Sequence, residues 1–224
     1  MNIEAYNKLL KECESKNVTL VAVSKTKPVE NILELYESGH RDFGENYVQE
    51  LVDKQAQLPK DIRWHFIGHL QSNKVKYIAP FVHLIHGVDS LKLLTEINKQ
   101  AKKIDRVIHC LLQVHIAQEE TKFGLDEAEL DEVINTLQQK SSTFQNVFID
   151  GLMGMASFSD DIEKVRGEMR SLKVLFDKYK SLSTVNCQLS TLSMGMSGDY
   201  KMAIEEGSNM VRIGSLLFGA RPSK

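Results

Sequence analysis

The sequence predicts an α/β protein, a (β/α)8 TIM barrel formed by residues 1–224 as a single domain. Short apolar runs alternate with helical patterns along the whole chain, and the alternation occurs eight times. Alternating strands and helices indicate parallel strands joined by right-handed crossovers. The length of 224 residues is close to the roughly 250 that such barrels need, and no segment rich in proline, glycine and serine divides the chain.

The eight apolar runs are the predicted strands. Thr26, Lys27 and Pro28 end the first of them, because a proline after a polar pair does not continue a strand. The second run is short and weak by itself, whereas the fifth is the longest β-rich run. The predicted strands are residues 18–24, 41–46, 63–68, 82–88, 106–114, 147–155, 188–194 and 210–214.

Each predicted strand is followed by a helical pattern. Gly39 ends the first helix and Gly207 the seventh, Pro80 keeps the third short, and Asp89 or Ser90 can cap the fourth. The second carries apolar residues at helical spacing, and the sixth is the longest. The predicted helices are residues 29–38, 47–58, 72–78, 91–103, 127–139, about 161–182, 200–206 and 216–219.

An open, doubly wound sheet is the alternative fold. Its usual signature is a glycine-rich turn after the first strand and an acidic residue about 20 positions later. The segment from Ser24 to Pro28 contains no glycine. This difference favours the barrel.

Composition indicates a cytoplasmic globular protein. The net charge of -2 gives no reason to expect nucleic acid or an anionic membrane as a partner. Cys13, Cys110 and Cys187 are widely spaced, which favours a reducing compartment over a disulfide framework. The N-terminus lacks the pattern of a signal peptide, and no apolar stretch approaches the ~20 residues that span a bilayer.

Lys25 stands at the end of the first predicted strand, which faces the active-site mouth in a barrel of this kind. Burial there would lower the pKa of its amine and expose a neutral nucleophile that can form a Schiff base. The alternative is an exposed lysine just past a strand, beside Lys27. Taken alone, the first apolar run favours an exposed Lys25, because lysines are common at strand ends.

The loops after the last two predicted strands have the composition of a phosphate site. Barrels often bind phosphate at this place, helped by a short extra helix. Glycines at 195, 198 and 214 let the backbone approach an anion, and serines at 193, 197 and 215 offer hydroxyl groups. The short helix that begins at Ser215 would direct its N-terminal amides to the same place. Ordinary turn chemistry is the alternative, and two such loops at the expected positions favour phosphate.

Arg212 lies inside the eighth apolar run, where a permanent charge needs a partner. Its side chain could donate to a ring nitrogen of a bound cofactor and keep that nitrogen unprotonated, because two positive groups repel. An ion pair with Asp150 or Glu45 is equally compatible with the sequence. A Schiff-base lysine, a phosphate site and an inward arginine together suit pyridoxal 5'-phosphate (PLP).

Five segments carry a resemblance that covers nearly the whole chain in order: residues 22–28, 43–47, 64–74, 192–197 and 211–214. They resemble the pyridoxal phosphate homeostasis protein family. The stretch His-Phe-Ile-Gly-His-Leu-Gln-Ser-Asn-Lys at 65–74 and the stretch Leu-Ser-Met-Gly-Met-Ser at 192–197 are highly specific together.

The resemblance implies a barrel of the alanine racemase N-terminal type with PLP on the strand-one lysine. Members of the family are regarded as carriers or regulators of intracellular PLP without a clear catalytic turnover. In this sequence the implied site comprises Lys25 for the covalent link, Ser197, Gly214 and Ser215 for the phosphate, Arg212 for the pyridine nitrogen, Asn46 and Met194 as lining residues, and His65 and Ile67 near the ring.

Three positions depart from the family's common pattern. His115 stands where asparagine is usual, which leaves the contribution of the fifth strand open. Ser215 replaces a frequent threonine and keeps the hydroxyl group, and residues 153–156 differ from the usual stretch. None of these changes removes an implied cofactor contact.

Histidine spacing argues against a metal site. His65 and His69 are four apart, but His65 lies on a predicted strand and His69 in the following loop, so both cannot face one side of a helix. His83 and His86 are three apart on another predicted strand. We therefore expect no metal ion.

Two functions compete at this stage. The first is a monomeric binding protein that holds PLP, buffers it and supplies PLP-dependent apoenzymes. The second is an amino-acid racemase or related PLP enzyme, which needs a second acid or base opposite Lys25. Two-domain racemases take that group from a tyrosine of a partner's second domain, and we expect this domain to be absent because the chain ends at Lys224.

The sequence does not assign the missing acid or base within this chain. Tyr47, Tyr77 and Tyr200 are candidates, but their positions do not place one on the far face of a substrate. An isomerase-like barrel acting on phosphorylated sugars, with Glu45 as base, would not explain Lys25. We therefore expect a binding protein rather than an enzyme, with no catalytic residue to assign.

Overall fold

The structure is a computed structural model that describes residues 2–117, 123–181 and 183–219. Its strands follow the predicted order along the chain. They are β1 Thr19–Val23, β2 Asp42–Glu45, β3 Arg63–Phe66, β4 Leu84–Val88, β5 Ile108–Val114, β6 Val147–Gly154, β7 Ser183–Thr184, β8 Cys187–Met196 and β9 Met210–Ile213.

Eight of these strands close into a parallel barrel. The neighbours run β1, β2, β3, β4, β5, β6, β8 and β9, and β9 returns to pair with β1. The seam between β6 and β8 closes the ring, and every pair around it is parallel. The predicted fold class is confirmed. Strand β7 is a two-residue antiparallel addition to β8 that was not predicted.

The helices surround this ring. Two of them, at 91–103 and 127–139, have the predicted bounds, and the other predicted elements differ by one or two residues at their ends. The helices are α1 Ile3–Ser15, α2 Val29–Glu37, α3 Val48–Gln57, α4 Val75–Ile78 after a 3-10 turn at Ser72–Lys74, α5 Leu91–Lys103, α6 Glu127–Gln139, α7 Ile162–Lys180, α8 Tyr200–Glu205 and α9 Ser215–Phe218.

Helix α1 is the element that the sequence analysis missed. Asn2 caps it by accepting the N–H of Ala5 at 2.9 Å, and its buried face consists of Tyr6, Leu9 and Cys13. That three- and four-residue spacing is the signal that could have revealed it. The helix packs against β1 and α9 and therefore supports two elements of the predicted site.

Two layers of apolar side chains form the core. The larger layer lies between the strands and the helices and includes Leu20, Phe43 and Val211. The smaller layer, which includes Val21 and Met153, fills the barrel itself. This alternation along each strand decides which residues can reach the interior. None of the helices in the described ranges is long and apolar enough to cross a membrane.

Candidate functional site

Lys25 lies at the rim where the carboxyl ends of the strands meet, which we call the mouth. It is half-buried in the turn after β1. Val21 belongs to the inner layer, and Val23 and Lys25 follow it at the same two-residue spacing. Strand β1 lies between β2 and β9, so the ends of both strands flank Lys25.

A buried lysine of α3, Lys54, holds the chain next to Lys25. Its amine donates to the carbonyl oxygen of Ser24 at 2.8 Å, to Glu45 Oε1 at 2.7 Å and to Glu50 Oε1 at 2.6 Å. The Ser24 hydroxyl also donates to Glu45 Oε1 at 2.6 Å. These bonds fix the end of β1 against the end of β2.

The turn itself is fixed on both sides of Lys25. Thr26 has a φ of 63°, which is rare for a residue with a side chain, and its N–H donates to Glu50 Oε1 at 2.6 Å. The Lys27 amine donates to the carbonyl oxygens of Phe218 at 2.8 Å and Gly219 at 3.3 Å. Lys27 therefore caps the end of α9, which separates its role from that of Lys25.

Glu45 is an ion-pair partner, but not of Arg212. Its carboxylate is fully buried and pairs with Lys54, whose side chain is 7% exposed. Burial raises the pKa of Glu45 above its ordinary value, and the attraction of the Lys54 ammonium offsets this only in part. Asp150 bonds His109 at 2.8 Å instead of Arg212. Both ion pairs considered for Arg212 are therefore wrong.

Asn46 follows β2 at the mouth and presents a buried polar atom. Its Oδ1 is fully buried and accepts no hydrogen bond from the described residues. A buried amide oxygen without a donor is unfavourable, so such an atom calls for a ligand or a water molecule. The chain after β3 passes very close, because a Cβ on Gly68 would lie 2.4 Å from the Asn46 carbonyl oxygen. Glycine at 68 is therefore required for this approach.

The loops after β8 and β9 meet as predicted. The N–H of Gly214 donates to Ser197 Oγ at 3.2 Å, and Ser215 begins α9 directly after Gly214. A Cβ on Gly214 would lie 3.3 Å from the carbonyl oxygen of Val23, so this loop lies against the end of β1. The structure thus brings Ser197, Gly214 and Ser215 to the strand that leads to Lys25.

Arg212 points into the barrel, on the strand next to β1 and in register with Val21. It is 4% exposed, and its guanidinium donates to the carbonyl oxygens of Ser193 at 2.9 Å and Gly154 at 3.0 Å and to Ser193 Oγ at 2.7 Å. Burial lowers the pKa of Arg212 to about 10, so it stays positive at neutral pH. No carboxylate among the described residues forms an ion pair with it.

Ser193 lies inside the barrel rather than at the predicted phosphate site. The sequence predicts Ser193, together with Ser197 and Ser215, as a phosphate donor. Its side chain is fully buried, and its hydroxyl lies between Arg212 and the ring of His86, 3.3 Å from Nδ1. Ser193 therefore supports Arg212 inside the barrel.

Two of the expected residues lie apart from this group. His65 is inside the barrel, where its ring bonds Asp42 and His86 and is 1% exposed. Met194 is fully buried in the layer between strands and helices, because its neighbour Ser193 takes the inward position on β8. Contact of either side chain with the cofactor stays a prediction. His115 follows β5, and its N–H donates to the Leu125 carbonyl oxygen at 2.9 Å.

Among the described residues, one cluster has the ligand atoms that a metal ion would need. Asp42, His65 and His83 offer ligand atoms that all lie within 4.8 Å of one another. Arg63 already donates to both oxygens of Asp42, and its positive charge opposes a cation there. The expected absence of a metal ion stays a prediction.

Sequence reasoning missed Lys54, the role of Ser193 and the contacts of His86. Lys54 had one local signal, a glutamate four residues earlier on the same helix. The partners of Ser193 and His86 lie on strands distant in sequence, and only the closure of the barrel brings them together.

Comparison with known proteins agrees with this fold. The sequence profile of the family described as "Alanine racemase, N-terminal domain" matches residues 2–222. The molecule is thus a barrel of that class. A protein of Aquifex aeolicus named pyridoxal phosphate homeostasis protein is 44% identical over 204 residues, which are 90% of this chain and 86% of that protein. The chain belongs to the pyridoxal phosphate homeostasis protein family.

Further relatives cover similar shares. The protein of that name from Vibrio alginolyticus is 41% identical over 92% of this chain and 88% of its own length. The solved structure of PipY from Synechococcus elongatus without PLP is 34% identical, with a TM-score of 0.89, and covers 96% of this chain and 99% of that chain. A PipY structure with PLP bound is 36% identical, with a TM-score of 0.80, and covers 91% and 93%.

Alanine racemases share the fold alone. The enzyme from Clostridium difficile is 14% identical, with a TM-score of 0.72. The similarity covers 96% of this chain but 56% of that enzyme. It carries no argument about activity.

Lys54→Met should destabilise the protein by about 3–5 kcal/mol at pH 8, because it leaves the Glu45 carboxylate buried without its cation. The loss should shrink toward pH 5. Without Lys54 the pKa of Glu45 in the folded protein is raised further. The free energy of unfolding then falls as the pH rises above the ordinary carboxyl pKa of about 4.3, because the unfolded chain ionises this group more readily than the folded protein. Urea unfolding followed by circular dichroism at both pH values measures this.

The matched control is the double variant Glu45→Gln with Lys54→Met. It carries no buried charge at this place, so it should recover part of the stability and lose the pH dependence. Equal stabilities of the single and double variants at pH 8 would contradict the assigned ion pair.

Proposed function

We propose that this protein binds PLP at the mouth of the barrel, linked to Lys25, and serves as a carrier and buffer of the cofactor. One observation carries the proposal. The buried Arg212 guanidinium, which has only neutral acceptors, lies on the strand beside that of Lys25, and the Ser197–Gly214 contact lies at the end of the same strand. The family, and the PLP bound to PipY, support the identity of the ligand.

The residues present fit the cofactor. The orphaned Asn46 Oδ1 offers an acceptor at the mouth, and the Lys25 amine offers the nucleophile. Ser215 begins a helix whose first N–H groups have no carbonyl partner within the helix, so they can donate to phosphate oxygens. The Gly214 N–H donates to Ser197 Oγ and would have to exchange that bond for one to the phosphate. Ser197 adds a hydroxyl group beside them.

When bound, PLP supplies an aldehyde that condenses with a lysine amine to a C=N bond and releases water. The Lys25 amine can attack that aldehyde only without its proton. The hydrogen bonds of Lys54 and Glu50 hold the turn, so the backbone that carries the Lys25 side chain has a fixed position.

Arg212 favours binding over catalysis in this account. A permanent cation facing the pyridine nitrogen keeps that nitrogen unprotonated, because a second positive charge beside it is unfavourable. An unprotonated ring withdraws electrons less strongly, which weakens its help for reactions at an amino acid. The positive charge of Arg212 therefore supports the carrier role. An amino-acid racemase is the alternative function.

A racemase would need a second acid or base near Lys25. The Tyr200 hydroxyl donates to Glu12 on the outside of the barrel at 3.1 Å, and Tyr77 lies on α4. Tyr47 follows Asn46 at the mouth and is 56% exposed, so it is the tyrosine of these three that a turnover test must address.

The proposal includes a cytoplasmic, monomeric protein that delivers PLP to apoenzymes. Cys13, Cys110 and Cys187 are free and buried. Burial raises the pKa of both Cys13 and Cys187 to about 11, so these thiols stay protonated and inert in a reducing compartment.

Borohydride reduction of the PLP-loaded protein should place one stable adduct on Lys25, as peptide mass mapping would detect. Lys25→Ala should abolish the adduct, whereas Lys27→Ala should retain it, because Lys27 is engaged in capping α9. An adduct on Lys27 or Lys74 in the unchanged protein would contradict the assignment.

Ser197→Ala should weaken PLP binding roughly tenfold to a hundredfold, which corresponds to about 1.5–3 kcal/mol for one hydrogen bond to a charged group. Fluorescence titration of the apo-protein measures the dissociation constant. The control is Ser190→Ala, on the strand that precedes Ser197 but exposed and distant from the mouth. Equal affinity of the two variants would argue against the phosphate site.

The loaded protein should show no appreciable turnover. Incubation with L-alanine, L-serine and L-threonine in deuterated water, followed by NMR of the Cα position, should give exchange only at the rate of free PLP. Lys25→Ala serves as the blank and Tyr47→Phe removes the tyrosine at the mouth. Exchange at about 1 per second or faster that disappears in both variants would establish a racemase-like enzyme instead.

A further inference from the structure

A line of hydrogen bonds crosses the inside of the barrel below the mouth. Arg212 Nη1 lies 2.7 Å from Ser193 Oγ, and that oxygen lies 3.3 Å from His86 Nδ1. His86 Nε2 lies 2.9 Å from His65 Nδ1, and His65 Nε2 lies 3.0 Å from Asp42 Oδ1. We call these five residues the inner polar chain. It joins strands β9, β8, β4, β3 and β2.

The inner polar chain is not the ordinary filling of a barrel. Layers of branched apolar side chains usually fill this space. Here His86 and Ser193 are fully buried and His65 is 1% exposed. Buried polar atoms are unfavourable unless each of them is hydrogen-bonded. Their presence in place of apolar residues therefore indicates a purpose other than stability.

The ends of the chain fix the direction of every bond in it. A guanidinium can only donate, and an ionised carboxylate can only accept. At one end His65 Nε2 therefore donates to Asp42. At the other end the Ser193 hydroxyl accepts from Arg212 and so donates its own hydrogen to His86 Nδ1. A neutral His86 then carries its proton on Nε2 and donates it to His65 Nδ1.

The charge states around the chain agree with this direction. Burial alone would raise the pKa of Asp42, but hydrogen bonds from Arg63 and His65 lower it well below its ordinary range, so the carboxylate is ionised. Burial, the neighbouring His65 and the positive Arg212 lower the pKa of His86, so its ring is neutral. His83, whose ring centroid lies 5.4 Å from that of His65, has its pKa lowered to about 4 and adds no charge at neutral pH.

We infer that His86 and His65 are positioning residues for Arg212. The inner polar chain ties the guanidinium through Ser193 to a carboxylate anchored at the other end of the barrel, and so determines where it points. Arg212 has four other donor hydrogens besides the one on Ser193 Oγ, and two carbonyl oxygens already take two of them. The inner polar chain thus orients the guanidinium so that its remaining N–H groups can face a ring nitrogen at the mouth.

This inference rests on the proposed function only in its last step, the contact between Arg212 and the ring. The direction of the chain is a property of the protein without cofactor. The two parts can therefore be tested separately.

The first test is 15N NMR of the histidine-labelled apo-protein at pH 7.5, in which the nitrogen shifts report the tautomer of each ring. His65 and His86 should both be neutral and carry the proton on Nε2. His65→Gln and His86→Phe assign the signals. A cationic His65, or a His86 ring protonated on Nδ1, would overturn the direction of the chain whether or not the protein binds PLP.

The second test compares PLP-loaded variants by the absorbance spectrum of the C=N link and by the dissociation constant. Ser193→Ala and His86→Phe should shift the band and weaken binding about tenfold, the effect of losing roughly one hydrogen bond to a charged group. Ser193→Thr keeps the hydroxyl and should restore both. The control His109→Gln breaks another histidine–carboxylate pair, with Asp150, outside the chain and should change neither.

The outcomes separate the two claims. If the unchanged protein forms no reducible adduct with PLP, the proposed function fails. The NMR result alone then tests the direction of the hydrogen bonds in the inner polar chain. If it forms the adduct but Ser193→Ala and His86→Phe match His109→Gln in spectrum and affinity, the positioning role is wrong and the proposed function stands. Thermal unfolding of the four variants identifies any loss that arises from misfolding.

Discussion

The burial of a guanidinium inside the barrel is the constraint on which the rest of the structure depends. Arg212 is 4% exposed and, among the described residues, has carbonyl and hydroxyl oxygens rather than a carboxylate as its acceptors. A buried charge is tolerated only when its donors are satisfied in good geometry. Hydrogen bonds continue from Ser193 through His86 and His65 as far as Asp42, a carboxylate at the opposite end of the barrel that forms its own ion pair with Arg63.

A second constraint acts at the mouth. The turn that carries Lys25 contains a strained residue, Thr26, and is held by the buried amine of Lys54. Both strand ends next to it are fixed by close backbone approach, at Gly68 on one side and Gly214 on the other. The backbone of Lys25 is thus held in a fixed position at the mouth.

Much of the fold could be predicted because it rests on local patterns. The barrel follows from the alternation of strands and helices, and α5 and α6 have the predicted bounds because Ser90 and Asp126 cap them. Helix α1 was missed although its apolar spacing was visible. The meeting of Ser197 with Gly214 was predicted from the loops after the last two strands.

The side-chain contacts inside the barrel could not be predicted from local patterns. Whether Ser193 faces phosphate or Arg212 depends on the register of β8 against β9, which shifts between Ser193 and Met196. The placement of Met194 depends on the same register. The partner of Glu45 was wrong for a related reason, since the side chain that reaches it comes from the helix after its own strand rather than from across the barrel.

The most direct test of the account is a crystal structure of the protein with PLP. We expect electron density continuous from Lys25 Nζ to the cofactor, with phosphate oxygens at the Ser215 N–H, at the Ser197 hydroxyl and at the Gly214 N–H, which would exchange its bond to Ser197 Oγ for the phosphate. We also expect an Arg212 nitrogen at about 3 Å from the pyridine nitrogen. Density joined to another lysine, or a pyridine nitrogen that faces a carboxylate while Arg212 stays out of reach, would contradict it.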